Sequence, residues 1–110
     1  MASTYKVLAQ NAPSATTETT LYTVPAGYSA VVSTIAIANQ AGSSGTYRIA
    51  VRPAADASTT QKHYIVYGAT VAANDSIMLT LGITLATGDL VRVYASSADM
   101  SFNAFGSEIS

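Results

Sequence analysis

Apolar and polar residues along this chain follow the two-residue period of strands, not the 3.6-residue period of helices. The clearest case is "TYRIAVRP", where Tyr47, Ile49 and Val51 point one way and Arg48, Ala50 and Arg52 the other. In "SIMLTLG", Ile77, Leu79 and Leu81 share a face opposite Ser76, Met78 and Thr80. β-Branched residues and tyrosines recur between short turn clusters about ten residues apart. The pattern predicts strands over Thr4–Ala9, Thr20–Val24, Tyr28–Asn39, "TYRIAVRP", "KHYIVYG", "SIMLTLG", "DLVRVYAS" and "MSFNAFGSEI". A loop is expected from Gln10 to Glu18, another at "QAGSSG" and a third at "AADASTTQ". Pro25 and Gly27 break the chain after Val24, and Asn74, Asp75, Gly88 and Asp89 supply the chemistry of reversals. About eight short strands with such regular turns predict an all-β fold. The expectation is one antiparallel sandwich over residues 1–110, jelly-roll-like or Greek-key.

Several strands lack the polar second face of a half-exposed strand. In the third strand, simple alternation groups Val31, Ser33, Ile35 and Ile37 against Val32, Thr34, Ala36 and Ala38. The seventh sets Leu90, Arg92 and Tyr94 against Val91, Val93 and Ala95, and the eighth sets Phe102 and Ala104 against Phe105. No charge occurs between Glu18 and Arg48. Two explanations compete: the strands lie centrally under loops, or a second chain covers the outer face. The second is expected, because obligate interfaces resemble a core cut in two and exposed edges normally carry charge.

Composition sharpens this picture. Only 10% of residues are charged, against about 25% in an ordinary domain. Five Lys and Arg in all cannot track a phosphate backbone, so no nucleic-acid partner is expected. Absence of cysteine removes disulfides and thiolate metal sites. "MASTYKVLAQ" lacks the basic and apolar regions of a signal peptide. No run of about 20 residues is apolar enough for a spanning helix, so no membrane partner is expected.

Candidate chemistry is sparse. His63 is the only histidine, too few for a zinc set, and reads as a packed or surface residue. No nucleophile elbow, calcium loop or phosphate-binding glycine loop occurs. Glu18, Asp56, Asp75, Asp89, Asp99 and Glu108 are the only carboxylates available for a glycosidase-type pair. The expectation is no enzymatic activity, no cofactor and no metal. Seven tyrosines would suit a sugar-stacking platform, but they serve cross-strand pairs and interfaces as readily.

"LYTVPAGYSAVVSTIAIAN" (Leu21–Asn39) and "LTLGITLATGDLVRVYASSADMSFNAFGSEI" (Leu79–Ile109) resemble small virion structural proteins of tailed bacteriophages, including those of cyanophages and other aquatic phages. The resemblance covers the two ends of the chain and implies a non-enzymatic β-sandwich that assembles into oligomers on the particle. It implies first a capsid cement or decoration protein, a homotrimer bound to the major capsid protein and assembled in the bacterial cytoplasm. The alternatives are a tail, neck or baseplate component, or a carbohydrate-binding module on a receptor-binding fibre. A chain starting at Met1 with no anchoring segment is expected to weigh against the last. The expected interface residues are Tyr5, Arg48, Arg52, Arg92, Tyr94 and Phe105. The arginines are expected to meet a neighbouring subunit's carboxylates, and Thr4–Ala9 to reach across to another copy.

Overall fold

A computed structural model of the chain describes residues 3–110. Eight strands form: β1 (Ser3–Asn11), β2 (Thr19–Thr23), β3 (Ser29–Asn39), β4 (Gly45–Arg52), β5 (Tyr64–Val71), β6 (Ser76–Leu85), β7 (Leu90–Ala95) and β8 (Met100–Ile109). A one-turn 3₁₀ helix, Gln61–His63, precedes β5. The strands make two four-stranded sheets, β1-β8-β3-β6 and β2-β7-β4-β5. Every pairing is antiparallel: first with eighth, second with seventh, third with sixth, fourth with fifth. This is one long hairpin rolled into two sheets, and β3–β8 and β4–β7 close the roll. The expected sandwich is present, with jelly-roll topology.

Several boundaries differ from the sequence reading, and β5 runs on to Val71. β1 runs on to Asn11, because Gln10 and Asn103 stay in register and their side chains bond at 2.6 Å. Lys62 and His63 belong to the 3₁₀ turn, not to β5. β6 passes through Gly82 and ends at Leu85.

The larger correction concerns which residues share a face of β3. Ala30, Val32, Ile35 and Ile37 are all buried, although Val32 and Ile35 are three apart. A bulge at Ser33 shifts the register between Val32 and Thr34 against both neighbours. One inserted residue reverses the alternation, so Val31 leaves the group that contains Ile35. The shift belongs to the whole sheet: β1 bulges at Leu8, where Val7 and Ala9 face Phe105 and Ala104. Where β8 passes this row, a side chain on Gly106 would lie 1.9 Å from the Val31 carbonyl oxygen. Only glycine fits there.

The core lies between the sheets around Ile35, Ile37, Ile49, Val91, Val93 and Phe102, each at most 1% exposed. Tyr47 meets Phe102 edge-on across it, ring centres 6.3 Å apart. Asn39 is buried although polar, as are His63, Ser107 and Glu108. The Asn39 amide donates to the carbonyls of Ser43 and Val71, and its Oδ1 accepts from the Ala41 N–H, which shapes the β3–β4 loop.

Candidate functional site

Two faces of opposite character cover the sandwich. On the outer face of β2-β7-β4-β5, Arg48 of β4 lies between two tyrosines. Its guanidinium carbon is 4.2 Å from the Tyr67 ring centre and 4.1 Å from that of Tyr94. Register places them side by side, since Arg48 pairs with Tyr67 on one flank and Tyr94 on the other. Tyr64 adds an edge-to-face contact with Tyr67 at 5.0 Å.

Beside this stack, Arg92 Nε and Nη2 reach Glu18 Oε2 at 3.0 and 2.9 Å, while the Tyr64 hydroxyl donates to Glu18 Oε1 at 3.0 Å. Burial pushes the Glu18 carboxyl up, but the bonds from Arg92, Thr59 and Tyr64 outweigh it and hold the group below its ordinary value. Arg92 also donates to the Thr20 hydroxyl. An open depression of about 600 Å³ adjoins the tyrosines, lined by Thr59, Thr60, Gln61, Tyr64 and Tyr67.

His63 is buried under this face. The Thr60 N–H donates to Nδ1 at 2.8 Å, and Nε2 lies 2.7 Å from Asp56 Oδ2. Nδ1 is thus an acceptor and the ring proton sits on Nε2, pointing at the carboxylate. That bond from His63 holds the Asp56 carboxyl below its ordinary value. Both ring nitrogens are used in fixing the Asp56–His63 loop. Arg52, at the end of β4, donates from Nη1 to the Thr59 hydroxyl at 3.3 Å, and its Nε is buried without a partner.

The outer face of β1-β8-β3-β6 is uncharged. Its four strands contain only two charged residues, Lys6 and Glu108. These pair with each other at 2.6 Å, and Glu108 accepts from the Tyr22 hydroxyl of the other sheet at 2.5 Å. Neither charge is left for the outer face. That face presents Tyr5 and Val7 from β1, Phe105 from β8, Val31 and Ala36 from β3, and Met78 from β6. Val7, Phe105 and Thr34 lie in one row across it. Tyr5 is 83% exposed and Met78 67%.

The six residues expected at an interface therefore fall into two groups on opposite faces. Tyr5 and Phe105 lie on the uncharged sheet; Arg48, Arg92, Tyr94 and Arg52 lie on the other. One expectation needs correction: the carboxylate partner of Arg92 is Glu18 of the same chain. Pairing of Thr20 with Arg92 brings the residues just before β2 beside β7, a contact invisible to local pattern. Tyr64 and Tyr67 also escaped that pattern. Three residues apart, they share the outer face because register shifts beside Ile65, which no local pattern shows.

Two further carboxylates, Asp75 and Asp89, hold turns. Asp89 accepts from the N–H groups of Ala54 and Ala86, both at 2.9 Å, and Asp75 from that of Ser76 at 2.8 Å. Among the described residues no group of three or more His, Cys, Asp or Glu could hold a metal ion, and no helix is long and apolar enough to cross a membrane.

No protein-family model matches the chain, and no curated protein matches its sequence. Among solved structures, a chain in the structure of infectious bursal disease virus, Gx strain, is similar with a TM-score of 0.55 at 12% identity. The match covers 97% of this chain and 32% of that one, so this chain spans about a third of the viral chain's length. At that identity the likeness is one of fold: an all-β sandwich of two four-stranded antiparallel sheets.

Proposed function

We propose that the chain is a non-enzymatic structural subunit of a virus particle. More narrowly, it is a capsid cement or decoration protein of a tailed bacteriophage that binds copies of itself and the major capsid protein. One observation carries the reading: four adjacent strands present an outer face without a single charge. Such a face has no ionic repulsion to keep a neighbouring surface away, and its exposed Tyr5 and Met78 belong to residue types enriched at interfaces. The jelly roll shared with a chain of a virus structure and the two end motifs that resemble phage virion proteins support the same role. The test is copy number in purified particles. A decoration protein is expected in hundreds of copies per particle and on isolated heads. Tens of copies travelling with purified tails would move the role to the tail, neck or baseplate, and absence from particles would end the virion reading.

The tyrosine-lined depression on the opposite face favours a second reading, a carbohydrate-binding module for host recognition. Tyr67 is 65% exposed and the hydroxyl and amide groups of Thr59, Thr60 and Gln61 lie beside it, a pairing of ring face and donors that suits a sugar. Host polysaccharide would then raise the thermal midpoint of the folded chain, and a Tyr67→Ala variant would lose that rise. An unchanged midpoint leaves the structural role alone.

A further inference from the structure

The two sides of the sandwich are not equivalent. At one side the β1 and β2 edges close over the core, with Leu21, Tyr22 and Val24 buried and Lys6, Glu108 and Tyr22 linking the sheets. At the other, β5 and β6 are the edges, each bonded to a single neighbour. There the inward row of β6, Ile77, Leu79, Leu81 and Ile83, is only partly buried. Neither edge carries a charge: β5 reads "YIVYGATV" and β6 "SIMLTLGITL". A ten-residue uncharged edge with free backbone donors and acceptors is a template for strand pairing, and monomeric proteins block such edges with charge, proline or cover.

We infer that a second copy of this chain covers this side, β6 pairing antiparallel with β6 across a two-fold axis. This deepens the assembly role above and rests on its premise that the chain self-associates. The identity of the partner follows from complementarity. An aliphatic row left half open is best covered by an identical row, and a two-fold axis brings the two together. The opposite side is closed by the Lys6–Glu108 ion pair, whose lysine is half exposed, a poor match for aliphatic groups. Ten residues of strand extend about 33 Å, and the sandwich is 19 Å thick. Joining two such walls would cover on the order of 1,200 Å² in total, the lower bound for a specific interface. The product is an eight-stranded sheet whose uncharged outer face is doubled. Its symmetry is two-fold, unlike the trimer that the phage resemblance implies.

The chain contains no cysteine, so introduced thiols report cleanly. Met78→Cys, Thr80→Cys and Thr84→Cys each change an exposed outer position of β6, and Ser58→Cys serves as an exposed loop control. Oxidised singly and in pairwise mixtures, one combination in β6 should form disulfide dimers well ahead of the rest, since only directly opposed strand residues fall within bridging distance. Light scattering of the unmodified chain should give twice 11.3 kDa. A monomeric mass at every concentration, a trimeric mass, or β6 cross-linking no faster than the Ser58→Cys control would overturn the inference. The two proposals fail separately. A cross-linked dimer that is absent from virus particles removes the virion role alone, and a monomer abundant in particles removes self-association, and the edge pairing with it, while the virion role stands.

Discussion

Tyr22 in β2 donates its hydroxyl to Glu108 in β8 at 2.5 Å, from one sheet to the other. Lys6 of β1 holds the second carboxylate oxygen at 2.6 Å, so three strands meet at one buried carboxylate. The bonds from Lys6 and Tyr22 hold Glu108 below its ordinary 4.5. Burial, and then the negative partner, push the Tyr22 hydroxyl far above its ordinary 10.0.

Stability should fall on both sides of neutrality. Glu108, Glu18 and Asp56 all titrate lower in the folded chain. Their contribution is complete above the ordinary carboxylate range and is lost as pH falls through the folded values, because the unfolded chain takes up protons first. Tyr22 behaves oppositely: its contribution is complete below its ordinary 10.0 and is lost as pH rises beyond it. The urea midpoint should be level from about pH 6 to about pH 9 and decline outside that window. Tyr22→Phe should lower the unfolding free energy across that window by about 1.5–3 kcal/mol, the range for a hydrogen bond to a charged group. A midpoint still level at about pH 3 would contradict the assignment of these carboxylates.

Arg48 between Tyr67 and Tyr94 ties β4 to both its neighbours. Each cation–π contact on an exposed face contributes about 0.5–1 kcal/mol, so Arg48→Ala should destabilise the chain by about 1–2 kcal/mol. Lysine lacks the planar group that stacks, and Arg48→Lys should recover only part of this. A double-mutant cycle with Tyr67→Ala measures the coupling, and a coupling near zero would make the stack incidental.

Two glycines on the uncharged sheet should respond oppositely to alanine. At Gly106 the new methyl would meet the Val31 carbonyl at 1.9 Å, a backbone atom that cannot swing away. At Gly82 nothing lies within 4 Å. Gly106→Ala should cost more than about 3 kcal/mol or prevent folding, as overpacking against fixed atoms does, and Gly82→Ala should stay within about 1 kcal/mol of the parent. Chemical denaturation of the two variants decides it; equal costs would contradict the close approach of β3 and β8.

His63 fastens a loop, with Thr60 on one nitrogen and Asp56 on the other. His63→Ala should therefore raise amide hydrogen exchange across residues 56–64 while β3, β7 and β8 keep their protection, since loops open independently of the core. Exchange rising uniformly through the core strands would show that the histidine supports the whole sandwich.

Period-two alternation made the strands legible, and it holds in the structure where strands are regular. In β4 the inward Tyr47 and Ile49 are buried, and Phe102 and Ala104 of β8 lie in the core while Phe105 faces out. It failed where a residue is inserted. The bulge at Ser33 and the register shift at Ile65 answer to neighbouring strands, and nothing local in "VVSTI" or "YIVY" announces them. The scarcity of charge was visible along the chain, but its placement was not. Four of the five cations, Arg48, Arg52, Lys62 and Arg92, lie on or above one sheet, while the fifth, Lys6, is consumed by Glu108 at the edge of the other. That segregation arises from pairing residues such as Thr20 with Arg92, far apart in sequence.

The central claim is that the uncharged sheet is covered when the chain does its work. Radical footprinting of Tyr5, Met78 and Tyr67, in the dilute purified chain and in intact particles, tests it most directly. In the isolated chain these residues are 83%, 67% and 65% exposed, and all three should be oxidised. On particles, Tyr5 and Met78 at the two edges of the uncharged face should be protected together while Tyr67 on the opposite face stays reactive. Protection of Met78 alone would indicate edge pairing without a covered face. Equal oxidation of Tyr5 and Met78 in the two states would contradict the account.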